Sequence, residues 1–224
     1  MLEYFNFRVI YNYLPLFLEG FLATGWISFT SLFLCLVVGT VACAARLSHS
    51  RLFSTPAAVY IESIRSTPLL AQLYFLYFGL PSLGIRLPEI QTGILALMLN
   101  SGAYMAEILR AGVQSIGTGQ IEAGISSGLS YVQRLRYIIL PQAIGVTIPP
   151  LLGQSIVLVK DSALLSLISI LELTRTGQVL TSERFMPAEG FFTVAAFYLV
   201  WYFFLKYLSN WWQRRLIFRQ HAST

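Results

Sequence analysis

The sequence predicts an all-α integral membrane protein with about five transmembrane helices. Hydrophobic residues make up 56% of the 224 residues, charged residues make up only 11%, and the mean hydropathy is +0.66. Soluble globular domains are less apolar and carry about twice this share of charged residues. The composition therefore places the chain in a lipid bilayer.

The predicted spans are apolar stretches long enough to cross the hydrocarbon core, which takes about 20 residues of helix. They run approximately over residues 20–46, 56–80, 89–111, 144–173 and 190–207. The fourth stretch is too long for one straight helix. Because Pro141, Pro149 and Pro150 lie near its start, we expect a kink or a helix restart there. The domain organisation expected is an external or interfacial segment 1–19, one transmembrane domain 20–209 and a tail 210–224.

The positions of the cations predict the topology. Arg46 and Arg51 follow the first span, Arg134 and Arg136 precede the fourth, and Lys206 lies near the C-terminal end. Cytoplasmic loops are enriched in Lys and Arg, so the N-terminus is expected outside and both loop 115–141 and the C-terminus in the cytoplasm. The formal charge of +5 is thus a topology signal, and no nucleic-acid partner is expected.

Neither metal nor nucleotide chemistry is predicted for this chain. Cys35 and Cys43 lie in the first span without a partner at metal-ligand spacing, which favours small core residues. No segment fits GxxxxGK[ST], and the lysines, Lys160 and Lys206, do not lie in glycine-rich loops. The chain is therefore expected to be no enzyme and to bind no cofactor itself.

The predicted cytoplasmic loop carries the most informative motif, EAGISSGLSYVQRLRYIILP. It resembles the EAA loop of permeases of ATP-binding cassette (ABC) importers, by which a membrane subunit docks onto a separate ATPase that binds ATP and Mg. The resemblance assigns ATPase coupling to Glu122, Ala123, Gly124, Gly128 and Pro141, and it implies that Gly128 supplies the turn. The chain departs from the usual form at Gly124, normally Ala, where extra backbone freedom should loosen the first short helix by roughly 0.5–1 kcal/mol.

Three further segments resemble polar amino acid permeases of the histidine and glutamine importer type. They are YIESIRSTPLLAQL from Tyr60, LNSGAYMAEI from Leu99 and LVKDSAL from Leu158. Ser66 departs from the usual Gly. The resemblance implies an ABC type I importer fold in the inner membrane, a second permease, identical or paralogous, and ABC ATPase subunits. It also implies membrane lipid around the spans, an external solute-binding protein and a polar amino acid as substrate.

Charged residues inside predicted spans need partners or a function, because each costs about 2.5–3.5 kcal/mol at the bilayer centre. The candidates are Glu62, Arg65, Glu107, Lys160 and Asp161. Glu62 and Arg65 are spaced for pairing on one helix. Asn100, Tyr104 and Glu107 follow i, i+4, i+7 spacing and should line one helix face.

These groups match the charges of an amino acid zwitterion. Lys160 would face the carboxylate, Asp161 or Glu107 the ammonium, and Asn100 and Thr67 would supply hydrogen bonds. The substrate-binding set expected is Thr67, Gln72, Asn100, Tyr104, Glu107, Lys160 and Asp161, all of which lie in the resembling segments. The alternative is a buried ion-pair network that only braces helices, and for Glu107 and Arg65 both roles remain open.

Two other classes of function compete with the importer. An ion-coupled secondary transporter or channel would use Glu107, Lys160 and Asp161 as a proton or sodium relay. Such a protein needs no EAA loop and usually shows an internal repeat of broken helices, which we do not find in the sequence. A membrane scaffold without transport activity gives no reason for a polar face on the third span.

Overall fold

The computed structural model describes the backbone of residues 5–221 and the side chains of residues 5–212. Every regular element in that range is helical, so the predicted fold class is confirmed. Residues 1–4 of the predicted N-terminal segment, and the side chains of residues 213–224 in the predicted tail, lie outside the described residues.

The helices follow one another with short connections. In order they are α1 (Phe7–Arg46), α2 (Arg51–Arg65), α3 (Leu69–Tyr74), α4 (Leu80–Ser82), α5 (Glu89–Gln114), α6 (Thr118–Ser126), α7 (Tyr131–Arg134), α8 (Leu140–Asp161), α9 (Leu173–Arg184) and α10 (Pro187–His221). Two π-helical turns, Phe75–Gly79 and Leu135–Ile139, precede α4 and α8, and a 3-10 helix, Ser162–Ile168, follows α8.

Within the described residues, four helical runs are long and apolar enough to cross a membrane: Phe7–Arg46, Glu89–Gln114, Tyr131–Ile168 and Pro187–Trp212. The first begins 13 residues before the predicted span at residue 20, inside the segment expected at the membrane surface. The second predicted span, residues 56–80, is not one helix. It is divided between α2 and the shorter apolar run Leu69–Ser82, because Pro68 has no amide hydrogen and is extended, with φ −64° and ψ 139°.

The three prolines of the fourth span differ in their effect on helical bonding. Helix α8 continues through Pro149 and Pro150, so the helix does not restart at these two residues. The change in helical bonding lies instead in the π-helical turn Leu135–Ile139, directly before Leu140-Pro141. The other π-helical turn has the same context before Leu80-Pro81. A wider turn relieves the clash between a proline ring and the carbonyl four residues earlier.

The chain divides into two compact units. The first unit comprises Met1–Phe33, Thr67–Met98 and Ser155–Lys206, and the second comprises Leu34–Ser66, Leu99–Gln154 and Tyr207–Thr224.

Two apolar clusters hold the first unit together. One buries Ile27 of α1 and Leu97 of α5 with Leu165 and Ile168 of the 3-10 helix. The other buries Phe17, Leu173, Leu180 and Val194 of α1, α9 and α10. These clusters fix the short α9 beside the longer helices of its unit.

Small side chains form the core of the second unit. Ala42 and Cys43 of α1, Ile61 of α2 and Ala106 of α5 are buried together. Cys35 is also buried, so the interpretation of both cysteines as core residues is confirmed. Small residues let helix backbones approach closely, which is how helices in lipid gain van der Waals contact.

Candidate functional site

Loop 115–141 folds as a helical hairpin, which we call the α6–α7 hairpin (residues 118–134). Helix α6 ends at Ser126, and the amides of Gly128 and Leu129 donate to the carbonyls of Ile125 (2.9 Å) and Gly124 (3.0 Å). Gly128 has φ +75°, the left-handed conformation that this helix ending requires and that favours glycine. The turn predicted at Gly128 is therefore present.

A capping box starts the second helix of the hairpin. Ser130 Oγ accepts from the Gln133 amide, and Gln133 Oε1 accepts from the Ser130 amide at 2.8 Å. Arg134 donates to the carbonyl oxygen of Leu129 at 2.7 Å. These bonds satisfy amide and carbonyl groups that helix ends leave without partners, so the turn between α6 and α7 has a defined geometry.

Gly124 has a packing role that sequence reasoning missed. A Cβ atom built on Gly124 would lie 2.7 Å from Ile138 Cδ1 and 3.2 Å from the Arg134 side chain. The glycine thus lets α6 lie close to the π-helical turn that leads into α8. Pro141, the last residue of the motif, is the second residue of α8.

The α6–α7 hairpin leaves apolar side chains uncovered. Ile125, Tyr131 and Val132 are each more than half exposed, and Glu122 and Ala123 are exposed beside them. Large apolar side chains around a carboxylate on an ordered turn are typical of a surface that contacts another protein.

The charged residues of the second unit pair differently from the prediction. Glu62 lies 3.5 Å from Arg46, and Arg65 lies 4.0 Å from Glu107. The expected pair of Glu62 with Arg65 is therefore wrong, because each residue has a partner on another helix. Arg110 also donates to Glu107, with Nε 2.9 Å from Oε2.

Helix α5 presents its predicted polar face as expected. The Arg65 guanidinium lies 5.4 Å from the centre of the Tyr104 ring, and the same guanidinium contacts Glu107. Tyr104 and Glu107 thus share one face, and Asn100 is buried one turn earlier. Beside it, Gln154 of α8 donates to Ser101 at 3.4 Å.

The other predicted substrate residues belong to the first unit. Gln72 Nε2 donates to Thr67 at two atoms, Oγ1 at 2.8 Å and the carbonyl oxygen at 3.1 Å. Lys160 is exposed and Asp161 half-buried at the end of α8. The structure thus joins Thr67 to Gln72 and leaves the Lys160 ammonium accessible.

A buried carboxylate in the first unit was not singled out as a site. Glu172 accepts from the amides of Thr174 (2.9 Å) and Arg175 (2.8 Å) at the start of α9 and from the Tyr198 hydroxyl at 2.9 Å. Glu172 is fully buried, so these donors supply the hydrogen bonds that a buried carboxylate needs. The signal in the sequence was an acidic residue at a helix start, a position that favours negative charge.

Comparison with protein families identifies the architecture. Residues 36–220 match the family model described as binding-protein-dependent transport system inner membrane component. The glutamine transport system permease protein GlnP of Escherichia coli strain K12 is 39% identical over 214 residues, which cover 95% of this chain and 98% of that protein. The nopaline transport system permease protein NocM of Agrobacterium fabrum is 34% identical and covers 92% of this chain and 91% of its own.

Solved structures give the same result. A chain from the crystal structure of an amino acid ABC transporter with histidines superposes with a TM-score of 0.90 at 36% identity, covering 94% of this chain and 98% of that one. A chain of the inward-facing MetNI methionine ABC transporter superposes with a TM-score of 0.76 at 20% identity, covering 92% and 98%. The second likeness concerns the fold alone.

Proposed function

Because this chain belongs to the family of binding-protein-dependent transport system inner membrane components, we propose that it moves a polar amino acid across the inner membrane while separate ATPase subunits hydrolyse ATP. The chain is a multi-pass permease subunit of the amino acid ABC transporter type and is not itself an enzyme. In this proposal ATP and Mg bind to the ATPase, and no cofactor binds to this chain. A second permease completes the complex, as an identical or a paralogous copy.

The α6–α7 hairpin carries the proposal. An ordered turn with a positive φ at Gly128 holds Glu122, Ala123 and Ile125 on an exposed face of α6. We assign this face to contact with the ATPase, and we assign to Gly124 and Pro141 the connection from that contact to α8. A rigid connection is needed because a movement of the ATPase reaches the membrane helices only through elements that do not deform.

The proposed orientation puts the N-terminus outside and the α6–α7 hairpin and C-terminus in the cytoplasm. Contacts inside the first unit support one part of it. The Asn6 amide donates to Glu189 at 3.1 Å, and the Tyr13 hydroxyl donates to Glu183. The start of α1 and the connection from α9 to α10 therefore lie at the same end of that unit, as the proposed topology requires.

For substrate we propose recognition of the zwitterion that polar amino acids share. The exposed Lys160 would receive the carboxylate and Asp161 the ammonium, with hydrogen bonds from Thr67 and Gln72. Polar groups that are positioned to hydrogen-bond a substrate disfavour analogues that lack the matching group.

Glu107 and Tyr104 play a different part in this proposal. Glu107 already contacts two guanidinium groups, those of Arg65 and Arg110, and Tyr104 lies against the first of them. Binding an ammonium at Glu107 would compete with both cations. We therefore place Glu107 and Tyr104 beside the substrate path, with Glu107 bracing α5 against α2.

The test compares two valine substitutions in the coupling loop. Gly128→Val puts a β-branched residue at φ +75°, where it is strained by roughly 1–3 kcal/mol, so the turn should change shape. Gly117→Val is the matched control, because Gly117 has φ −60° and ψ 139° and open space around it. Both variants are reconstituted in liposomes with the ATPase and assayed with the solute-binding protein.

Gly128→Val is expected to insert normally and to lose both stimulated ATP hydrolysis and amino acid uptake, whereas Gly117→Val keeps both. Wild-type coupling in Gly128→Val would remove the hairpin from the coupling pathway. Equal loss in both variants would mean that the segment tolerates no added side chain, and the assignment to its turn would fail.

A further inference from the structure

The turn between α9 and α10 holds a bulky residue in a conformation that usually requires glycine. Phe185 follows the last residue of α9 with φ +55° and ψ +34°, and its amide donates to the Thr181 carbonyl at 2.9 Å. Of the other left-handed positions in the described part of the chain, Gly84 and Gly128 are glycines and the third is the small Ser169, with φ +65°. A phenylalanine in this region is strained, and such strain persists where the side chain has a purpose.

The Phe185 ring makes little contact with its own chain. It is 87% exposed, the largest exposure recorded for a large apolar side chain within the described residues. It also lies between the apolar runs that end at Ile168 and begin again at Pro187. A strained backbone thus presents an aromatic ring outward from a position outside the membrane-spanning segments.

The turn that carries Phe185 is held firmly. The Tyr13 hydroxyl of α1 donates to Glu183 and accepts from Arg184 Nε at 3.1 Å. The Arg184 guanidinium also lies over the Tyr13 ring, 5.8 Å from the ring centre. Beyond the turn, the Asn6 amide donates to Glu189. The residues on both sides of Phe185 are therefore tied to the start of α1, which fixes the position of the ring before any partner arrives.

We propose that Phe185, with Glu183 and Arg184 beside it, is the anchor on which the external solute-binding protein docks. This inference rests on the proposed function, which puts the α9–α10 turn on the outer side of an importer. Aromatic residues and arginine are enriched at the centres of protein interfaces, and a few of them supply most of the binding energy. Exposed charges of both signs around the ring favour a polar protein surface over anionic lipid.

The experiment measures how the solute-binding protein, loaded with its amino acid, stimulates ATP hydrolysis by the full transporter in nanodiscs. Phe185→Ala and Phe185→Gly both delete the ring, and the glycine variant also removes the backbone strain. Phe185→Tyr keeps an aromatic ring. Phe192→Ala removes an exposed ring from the apolar part of α10 and is the matched control.

For Phe185→Ala and Phe185→Gly we expect the binding-protein concentration at half-maximal stimulation to rise by about tenfold or more, as for the loss of an interface anchor. In both variants, basal hydrolysis and the hydrolysis rate at saturating binding protein should not fall. The thermal stability of the glycine variant should not fall either. Phe185→Tyr should stay within about twofold of wild type, and so should the Phe192→Ala control.

An unchanged half-maximal concentration in both ring-deleting variants would overturn the inference. A Phe185→Trp reporter gives a second criterion: its fluorescence should respond to the binding protein and not to brominated lipid. Quenching by brominated lipid would make the ring a membrane contact, and a loss of the permease pair in Phe185→Gly would make it a contact between permeases. If the binding protein fails to stimulate the wild-type complex, the proposed function fails instead.

Discussion

Glu107 and Arg110 form a charged hydrogen bond one turn apart on α5, with Nε 2.9 Å from Oε2. Arg65 of α2 approaches the same carboxylate at 4.0 Å. One carboxylate thus compensates two guanidinium groups inside a predicted span. Removing it leaves two cations without that partner, which is more disruptive than removing a single surface pair.

Glu107→Gln should therefore lower the free energy of unfolding by about 1–3 kcal/mol, the usual loss for hydrogen bonds to charged groups. Glu62→Gln is the matched control. The Glu62 side chain lies 3.5 Å from Arg46 and is 72% exposed, so this substitution should change the free energy of unfolding by less than about 1 kcal/mol. Thermal unfolding of the purified protein in detergent measures both. A stable Glu107→Gln variant with weakened substrate binding would show that Glu107 contacts the substrate and does not only brace helices.

The proposed zwitterion site predicts the effect of Lys160→Met. This change keeps much of the apolar stem and deletes the cation, so every transported amino acid should bind more weakly by about 1.5–3 kcal/mol. Lys206→Met, at the other lysine of the chain, should leave the affinity unchanged. Because Asp161 loses a neighbouring cation, a double-mutant cycle with Asp161→Asn separates substrate contact from bracing. Unchanged affinity in a stable Lys160→Met variant would leave Lys160 without a part in recognition.

The proposed topology predicts labelling of single cysteines. Ser82→Cys lies at the end of the run Leu69–Ser82 and should react with an impermeant thiol reagent from outside the cell. Ser130→Cys lies in the α6–α7 hairpin and should react only after the membrane is opened. Both serines are exposed, and the native Cys35 and Cys43 are buried, so the unmodified protein serves as the blank. External labelling of both positions to the same extent would contradict the orientation.

Local sequence signals predicted the parts of the site that depend on neighbouring residues. The left-handed turn at Gly128 follows from a glycine at a helix end, and the shared face of Tyr104 and Glu107 follows from helical spacing. Each involves residues within one turn of each other, where backbone geometry alone determines the distances.

Partners on other helices could not be predicted in the same way. The spacing of Glu62 and Arg65 permits a pair on α2, but Arg46 and Glu107 from α1 and α5 compete for them. Helix packing decides that competition, and a single sequence contains no distance between helices. The role of Gly124 was missed for the same reason, since Ile138 approaches it only after the hairpin has folded.

The π-helical turn Leu135–Ile139 acts as an insertion of one residue into an otherwise α-helical run. An α-helix turns by about 100° per residue, so the extra residue sets the direction of every side chain that follows it in α8. Thr147 shows the requirement for the correct direction, because its methyl group occupies the space that a Cβ atom would need at Gly112 of α5. Deleting one residue from this turn would keep every side chain of α8 but rotate Thr147 away from Gly112. The packing of α8 against α5 therefore depends on the rotation of the helix as well as on its residues.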